Sequence, residues 1–115
     1  MKFFGTYGCS AADSVYNIAI DATDMEVALK FCYDSAVEDR DSYKGMGYGI
    51  QSWEEIAEEE GFLLGEMSPS QECYIDDLYN KTIENDIVYS VAPFNIDNEK
   101  HLETLIEQEG VFWEA

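Results

Sequence analysis

Lys2–Tyr7 and Val15–Ile20 are rich in aromatic and β-branched residues and are separated by a small polar stretch, Cys9–Asp13, a pattern that predicts two paired strands. Thr23 followed by Glu26 reads as a capping box, and Met25, Ala28, Leu29, Cys32 and Ala36 then recur at helical spacing, so a helix is expected to run to about Val37 or Asp39. Gly45, Gly47 and Gly49 alternate with Met46, Tyr48 and Ile50. That period of two predicts a strand with one bare face, against which something packs closely. Ser52 and Glu55 form a second capping box for a short helix with Trp53 and Ile56 inward and Gly61 at its end. A third helix opens with Ser68 as cap, Pro69 at the first position and Gln71 completing the box, and buries Ile75, Leu78, Tyr79 and Thr82. Ile87–Phe94 reads as the clearest buried strand. Asp97 is placed to cap a last helix with Leu102, Leu105 and Ile106 inward and Gly110 stopping it, leaving Val111–Trp113 as an edge strand. Together these give an α+β class, a small mixed or antiparallel sheet of about three to five strands with about four short helices, and strand connections that the pattern leaves open.

Composition changes this picture through charge. The 115 residues fit one domain spanning 1–115, and 46% hydrophobic residues, 14% of all residues being aromatic, supply a core that disordered chains lack. Yet 25 Asp and Glu face only 6 Lys and Arg, a net charge of −19, far past the magnitude of about 2 to 8 that keeps a small domain soluble. Like charges on one body cost stability, so a function that uses the field explains them better than solubility does. Chain length predicts a body about 35 Å across. A duplex of that length carries about 20 charges, close to this chain's total.

The same charge argues against direct binding to nucleic acid or to an anionic membrane surface. The longest apolar runs, such as Ile18–Ile20 and Phe62–Leu64, are far below the ~20 residues of a spanning helix, and no basic region followed by an apolar stretch opens the chain, so a cytoplasmic location is expected. Cys9, Cys32 and Cys73 are odd in number and form no Cys-x-x-Cys pair, which predicts reduced thiols and neither a disulfide framework nor a zinc site.

The densest candidate site is Glu54, Glu55, Glu58, Glu59 and Glu60. At helical spacing Glu54 with Glu58 and Glu55 with Glu59 make two rows of like charge, each destabilising by a few tenths of a kcal/mol, and no Lys or Arg is near in sequence to relieve them. Similar stripes recur at Asp34 and Glu38 with Asp39 and Asp41, at Glu72 and Asp76 with Asp77, and at Glu99, Glu103 and Glu107. The plain alternative is a set of solvated faces; the lack of basic neighbours favours a partner-binding role. Tyr33, Tyr43, Tyr74 and Tyr79 are candidate aromatic anchors, with core packing the alternative for each. The single histidine, His101, stands in no catalytic motif and reads as a surface residue. The Gly45–Gly49 stretch lacks the basic residue of a phosphate loop, and Asn95–Glu99 lacks the twelve-residue calcium pattern. No catalytic residue, cofactor or dedicated metal site is expected, and at most weak divalent-ion binding.

In size, charge and the spread of acids over helices, the chain resembles the DNA-mimic inhibitors of phages and mobile elements, the anti-CRISPR and anti-restriction proteins. The resemblance carries no motif and assigns no residue. It implies an inhibitor that is not an enzyme, whose carboxylates stand in for phosphates and occupy the DNA-binding surface of a basic defence complex, either a CRISPR effector or a restriction enzyme. An immunity protein against a basic nuclease toxin would use the same electrostatics. A small divalent-metal-dependent enzyme and a salt-adapted housekeeping protein are the readings from other classes. Whether two copies join into a homodimer is left open.

Overall fold

A computed structural model describes residues 1–115, and the hairpin that the N-terminal pattern requires is at its centre. Strands β1 (Lys2–Cys9) and β2 (Ser14–Asp21) pair antiparallel around a 3-10 turn at Ser10–Ala12, closed by Asp13 in the left-handed region at φ 53°. Phe3 lies opposite Ile20, Gly5 opposite Ile18 and Tyr7 opposite Tyr16, which places all six on one face. Helix α1 (Met25–Ser42) packs on that face through small side chains, with Ala28 and Cys32 in one cluster with Phe3, Ile18 and Ile20. The approach is close enough that a Cβ on Gly5 would sit 2.6 Å from Cys32 Sγ and 2.8 Å from Ile20 Cδ1; glycine is needed there for space. The three cysteines are free, and burial pushes the Cys32 thiol up to about 11, leaving it a packing group.

Strand β3 (Ile87–Pro93) pairs antiparallel with the other side of β1, and β4 (Trp113–Glu114) pairs parallel with Ile20 and Asp21 of β2. The sheet is mixed, four-stranded and ordered β3-β1-β2-β4; with four α-helices the fold is α+β. Helix α4 (Glu99–Glu107) covers only one end of the far face. Its His101 ring stacks on Phe4, with centroids 4.0 Å apart and planes 12° apart, and His101 Nδ1 accepts the Asn95 N–H at 3.0 Å. Just past α4, the Gln108 amide behaves like a strand residue: it accepts the Ala19 N–H at 2.8 Å and donates to the Ala19 carbonyl at 3.0 Å. Both faces are therefore covered around Ile18–Ile20, which is why that run is continuously apolar.

Helices α2 (Trp53–Glu59) and α3 (Pro69–Asp86) form an arm with its own small cluster of Ile56, Ala57 and Ile75, flanked by Trp53, Phe62 and Leu78. Their ends are as the sequence predicts, except that Ser52 and Glu55 make only the Ser52 half of a capping box. Ser68 and Gln71 make a reciprocal capping box, Ser52 accepts the Glu55 N–H, and Gly61 at φ 83° ends α2 while Gly61 and Phe62 donate to the carbonyls of Glu58 and Ala57. The arm makes the molecule long, 55 × 29 × 17 Å, rather than the body about 35 Å across expected from chain length.

Arm and sheet meet at Arg40, whose side chain is fully buried. It continues the four-residue series of buried positions Ala28, Cys32 and Ala36 on α1. Its Nε donates to Asp86 Oδ2 at 3.0 Å, Nη1 to Asp41 Oδ1 at 3.3 Å and Nη2 to the Gln51 carbonyl at 3.2 Å, with the Tyr79 ring 5.5 Å from the guanidinium carbon. One cation thus joins the ends of α1 and α3 and the segment leading into α2.

Several expectations are corrected. Gly45–Gly49 is no strand: all three glycines have φ between 76° and 87°, so the alternation marks repeated left-handed turns, and no atom lies within 4 Å of a Cβ built on them. Asp24, not Thr23, caps α1 by accepting the Val27 N–H; the helix continues to Ser42, and Met25 and Leu29 are exposed. Strand β3 is at the sheet edge with only Ile87 buried, because the far face beyond α4 has no cover. Asn98, not Asp97, caps α4; Leu102 and Ile106 are exposed, and the helix instead turns Thr104, half-buried Leu105 and His101 inward.

Two outcomes follow from this packing. Arg40→Ala should cost roughly 3 kcal/mol by leaving Asp86 and the Gln51 carbonyl without their donor, and Arg40→Lys should not restore it, since an ammonium cannot serve three diverging partners; urea midpoints measure both. Burial and the nearby Lys100 hold the His101 imidazole below its ordinary 6.5. Its contribution is therefore present above that pH and lost as pH falls and the unfolded chain takes up the proton. The stability gap between the wild type and His101→Gln should narrow between pH 7.5 and pH 5.5, and a constant gap would contradict the docking role.

Candidate partner-binding surface

The arm is free of basic residues up to Lys81, which stands on α3 four residues beyond Asp77. From Gly45 to Asn80 there are nine acidic residues and no Lys, Arg or His. All nine side chains are exposed and none is in an ion pair: Glu54, Glu55, Glu58, Glu59 and Glu60 on and after α2, Glu66 in the connection, and Glu72, Asp76 and Asp77 on α3. Folding brings two of the expected stripes together. The Trp53 indole N–H donates to Asp76 Oδ1 at 2.7 Å, which ties the Glu72–Asp76 stripe of α3 to the start of α2. Gln51 also donates to Glu59. Glu58 and Glu59 stand in the last turn of α2, with Glu60 at its C-cap and no basic residue there, where the helix dipole favours cations.

The acids of α1 are not gathered in the same way. Asp34 is paired with Lys30 at 2.8 Å, and Asp41 with Arg40 and Lys44 at 3.3 Å each. Glu38 and Asp39 instead line an open cleft of about 380 Å³ between α1 and the hairpin, together with Tyr7, Tyr16, Ser35 and Ser42. Asp39 Oδ2 is buried and has no hydrogen-bond partner. Burial, and next the Asp39 carboxylate, push the Tyr7 phenol above its ordinary value. Glu99, Glu103 and Glu107 are exposed along α4.

Among the four candidate tyrosine anchors only Tyr74 is exposed. Tyr79 lies under Arg40 and Lys44 and its hydroxyl accepts from Lys44 at 3.0 Å, an interaction that raises the Lys44 pKa; Tyr33 packs edge-on against Tyr89 and Tyr43 against Tyr48. The exposed tyrosines that sequence reasoning missed are Tyr16, Tyr48 and Tyr89. Tyr16 had a signal: pairing about a turn centred between Ala11 and Ala12 sets it opposite Tyr7. His101 is half-buried under α4, which corrects its reading as a surface residue.

No three of the Asp, Glu, His and Cys side chains are grouped to hold an ion, and no helix is long and apolar enough to cross a membrane. Spread along 55 Å, a net charge of −19 is sparser than the about 32 charges of an equal length of duplex, so the expected equality of total charge does not hold and the local density on the arm matters more. Against protein-family models, curated proteins and solved structures, the chain has no match.

Proposed function

We propose that the protein is a phosphate-mimicking inhibitor, not an enzyme, whose acidic arm occupies the nucleic-acid-binding surface of a basic protein or complex in the cytoplasm, such as a CRISPR effector or a restriction enzyme. The observation that carries this reading is the arm itself: nine exposed, unpaired carboxylates between Gly45 and Asn80 with no basic side chain among them. Stability accounts for only part of them: Glu54, Glu55 and Glu72 stand in first turns that favour acids, and Asp76 and Glu59 accept hydrogen bonds. Rows of like charge at four-residue spacing weaken a helix, and acids at the C-terminal end of α2 oppose its dipole. Such a surface, held in place by capped helices, steers and orients a cationic groove at long range.

The test begins with capture of basic nucleic-acid-binding proteins from cells that carry defence systems, followed by displacement assays with labelled duplex. The inhibitor should release the duplex from the captured partner in proportion to its own occupancy. A partner that binds the inhibitor and its DNA simultaneously would exclude the mimic reading. Replacing Glu54, Glu55, Glu58 and Glu59 together by Lys should weaken binding roughly 4- to 1,000-fold, as expected if each of four exposed contacts is worth about 0.2 to 1 kcal/mol. The unfolding midpoint should change little, because relief of the like-charge rows and of the dipole at Glu58 and Glu59 offsets the loss of Glu54 and Glu55 from the first turn of α2 and of the bond from Gln51 to Glu59. Unchanged affinity would place the working surface elsewhere.

A further inference from the structure

The cleft between α1 and the hairpin has a composition that the fold uses elsewhere for one purpose. Where Arg40 is buried, a guanidinium lies by the Tyr79 ring and against the carboxylates of Asp86 and Asp41. The cleft offers the same set of groups: the Tyr7 and Tyr16 rings, 5.4 Å apart and tilted by 31°, and the carboxylates of Glu38 and Asp39, with two serine hydroxyls at its margin. No Lys or Arg of this chain lines it. Lys30, the other cation on this part of α1, is held by Asp34. A second and independent feature is Asp39 Oδ2, buried without a donor; an unpartnered carboxylate oxygen is costly, and a donor in the cleft would relieve that cost once the carboxylate turns toward it.

The cleft is also reachable. β4 pairs only with Ile20 and Asp21, so β2 from Ser14 to Asn17 is a free sheet edge beside it, and Tyr16 is exposed on that edge. Its volume of about 380 Å³ exceeds what a single side-chain head group fills, leaving room for the aliphatic stem that carries one.

We infer that this cleft is a binding site for a guanidinium group, the arginine side chain of a basic partner, which lies against Tyr7 and Tyr16 and is hydrogen-bonded by Glu38 and Asp39. Arginine suits it better than lysine: a planar, weakly hydrated cation stacks on phenol rings and presents several donors to two carboxylates at once, whereas an ammonium is a compact, strongly hydrated point charge. The site rests on the reading above that the partner is a basic protein, and it adds to that reading an aromatic anchor that the arm's charge alone does not supply.

The test uses the whole protein and ethylguanidinium chloride at constant ionic strength, followed through the NMR signals of the Tyr7 and Tyr16 rings and the Ser35–Ser42 amides. Saturable shifts confined to those residues are expected, weaker with ethylammonium, and lost in Tyr16→Ala, a substitution at an exposed position that leaves the core intact. Asp39→Asn should also abolish them, whereas Tyr74→Ala and Glu103→Gln should not. Shifts that never saturate, that spread evenly over all acidic residues, or that survive both Tyr16→Ala and Asp39→Asn would overturn the site. With the captured partner, Tyr16→Ala should lower affinity roughly ten-fold. The two ideas fail separately: a cleft that never takes guanidinium leaves the arm's loss on charge reversal standing, and a cleft that does take it leaves the mimic reading refuted if DNA and inhibitor bind the partner together.

Discussion

A single buried guanidinium decides whether this molecule has one rigid charged surface or two loosely joined pieces. Arg40 has no exposed side-chain surface and serves Asp86, Asp41 and the Gln51 carbonyl simultaneously. The apolar clusters on either side of it are small: Ile56, Ala57 and Ile75 in the arm, and Ala36, Ile83 and Ile87 at the junction. Cores of that size supply limited burial, so the geometry of the joint depends on a directional interaction as well as on area. In a chain whose other charges mostly repel one another, placing a scarce cation there gives the greatest return in order, because it neutralises acids at the point where two helix ends and a loop converge.

Three of the five remaining cations follow the same economy, whereas Lys81 on α3 and Lys100 on α4 are in no ion pair. Lys2 holds Asp21 near the N-terminus, and that hydrogen bond is the main reason the Asp21 carboxyl lies below its ordinary range; Lys30 holds Asp34, and Lys44 bonds Tyr79 and Asp41. All of these lie on the sheet, on α1 or at the joint. The arm beyond the joint has none between Gly45 and Asn80. Paired basic residues thus stand where the fold needs neutralisation, and none falls in the stretch from Gly45 to Asn80. An acidic surface without basic neighbours keeps its field.

What the sequence made legible was mostly local. The Ser68-Pro69-x-Gln71 cap, the Ser52 cap and the Gly61 stop are written in residues whose backbone preferences act within a turn, and each is present. The hairpin and the class of fold were equally readable, since the strand pattern and a short polar turn leave little choice. Long-range facts were not. A charged residue on a helix reads as surface, so Arg40 was invisible although it continues the 28, 32, 36 spacing; the burial of His101 depends on Phe4, distant in the chain. The glycine alternation misled because period two is shared by strands and by repeated left-handed turns. For the site, the acids of α2 and α3 were identified and are brought together, whereas the α1 acids divide between ion pairs and the tyrosine cleft, which could be assembled only from strand register.

Everything functional here reduces to an unneutralised acidic surface competing for a cationic one, and electrostatic competition has a direct signature. The decisive measurement is the dissociation constant for the captured basic partner from about 50 to 500 mM salt, set beside the same series for that partner with duplex DNA, since exposed charges are screened within about 8 Å at physiological ionic strength. A steep, parallel loss of affinity in both series is expected. An affinity for the inhibitor that stays level while the DNA complex weakens would mean that its carboxylates are not what the partner recognises.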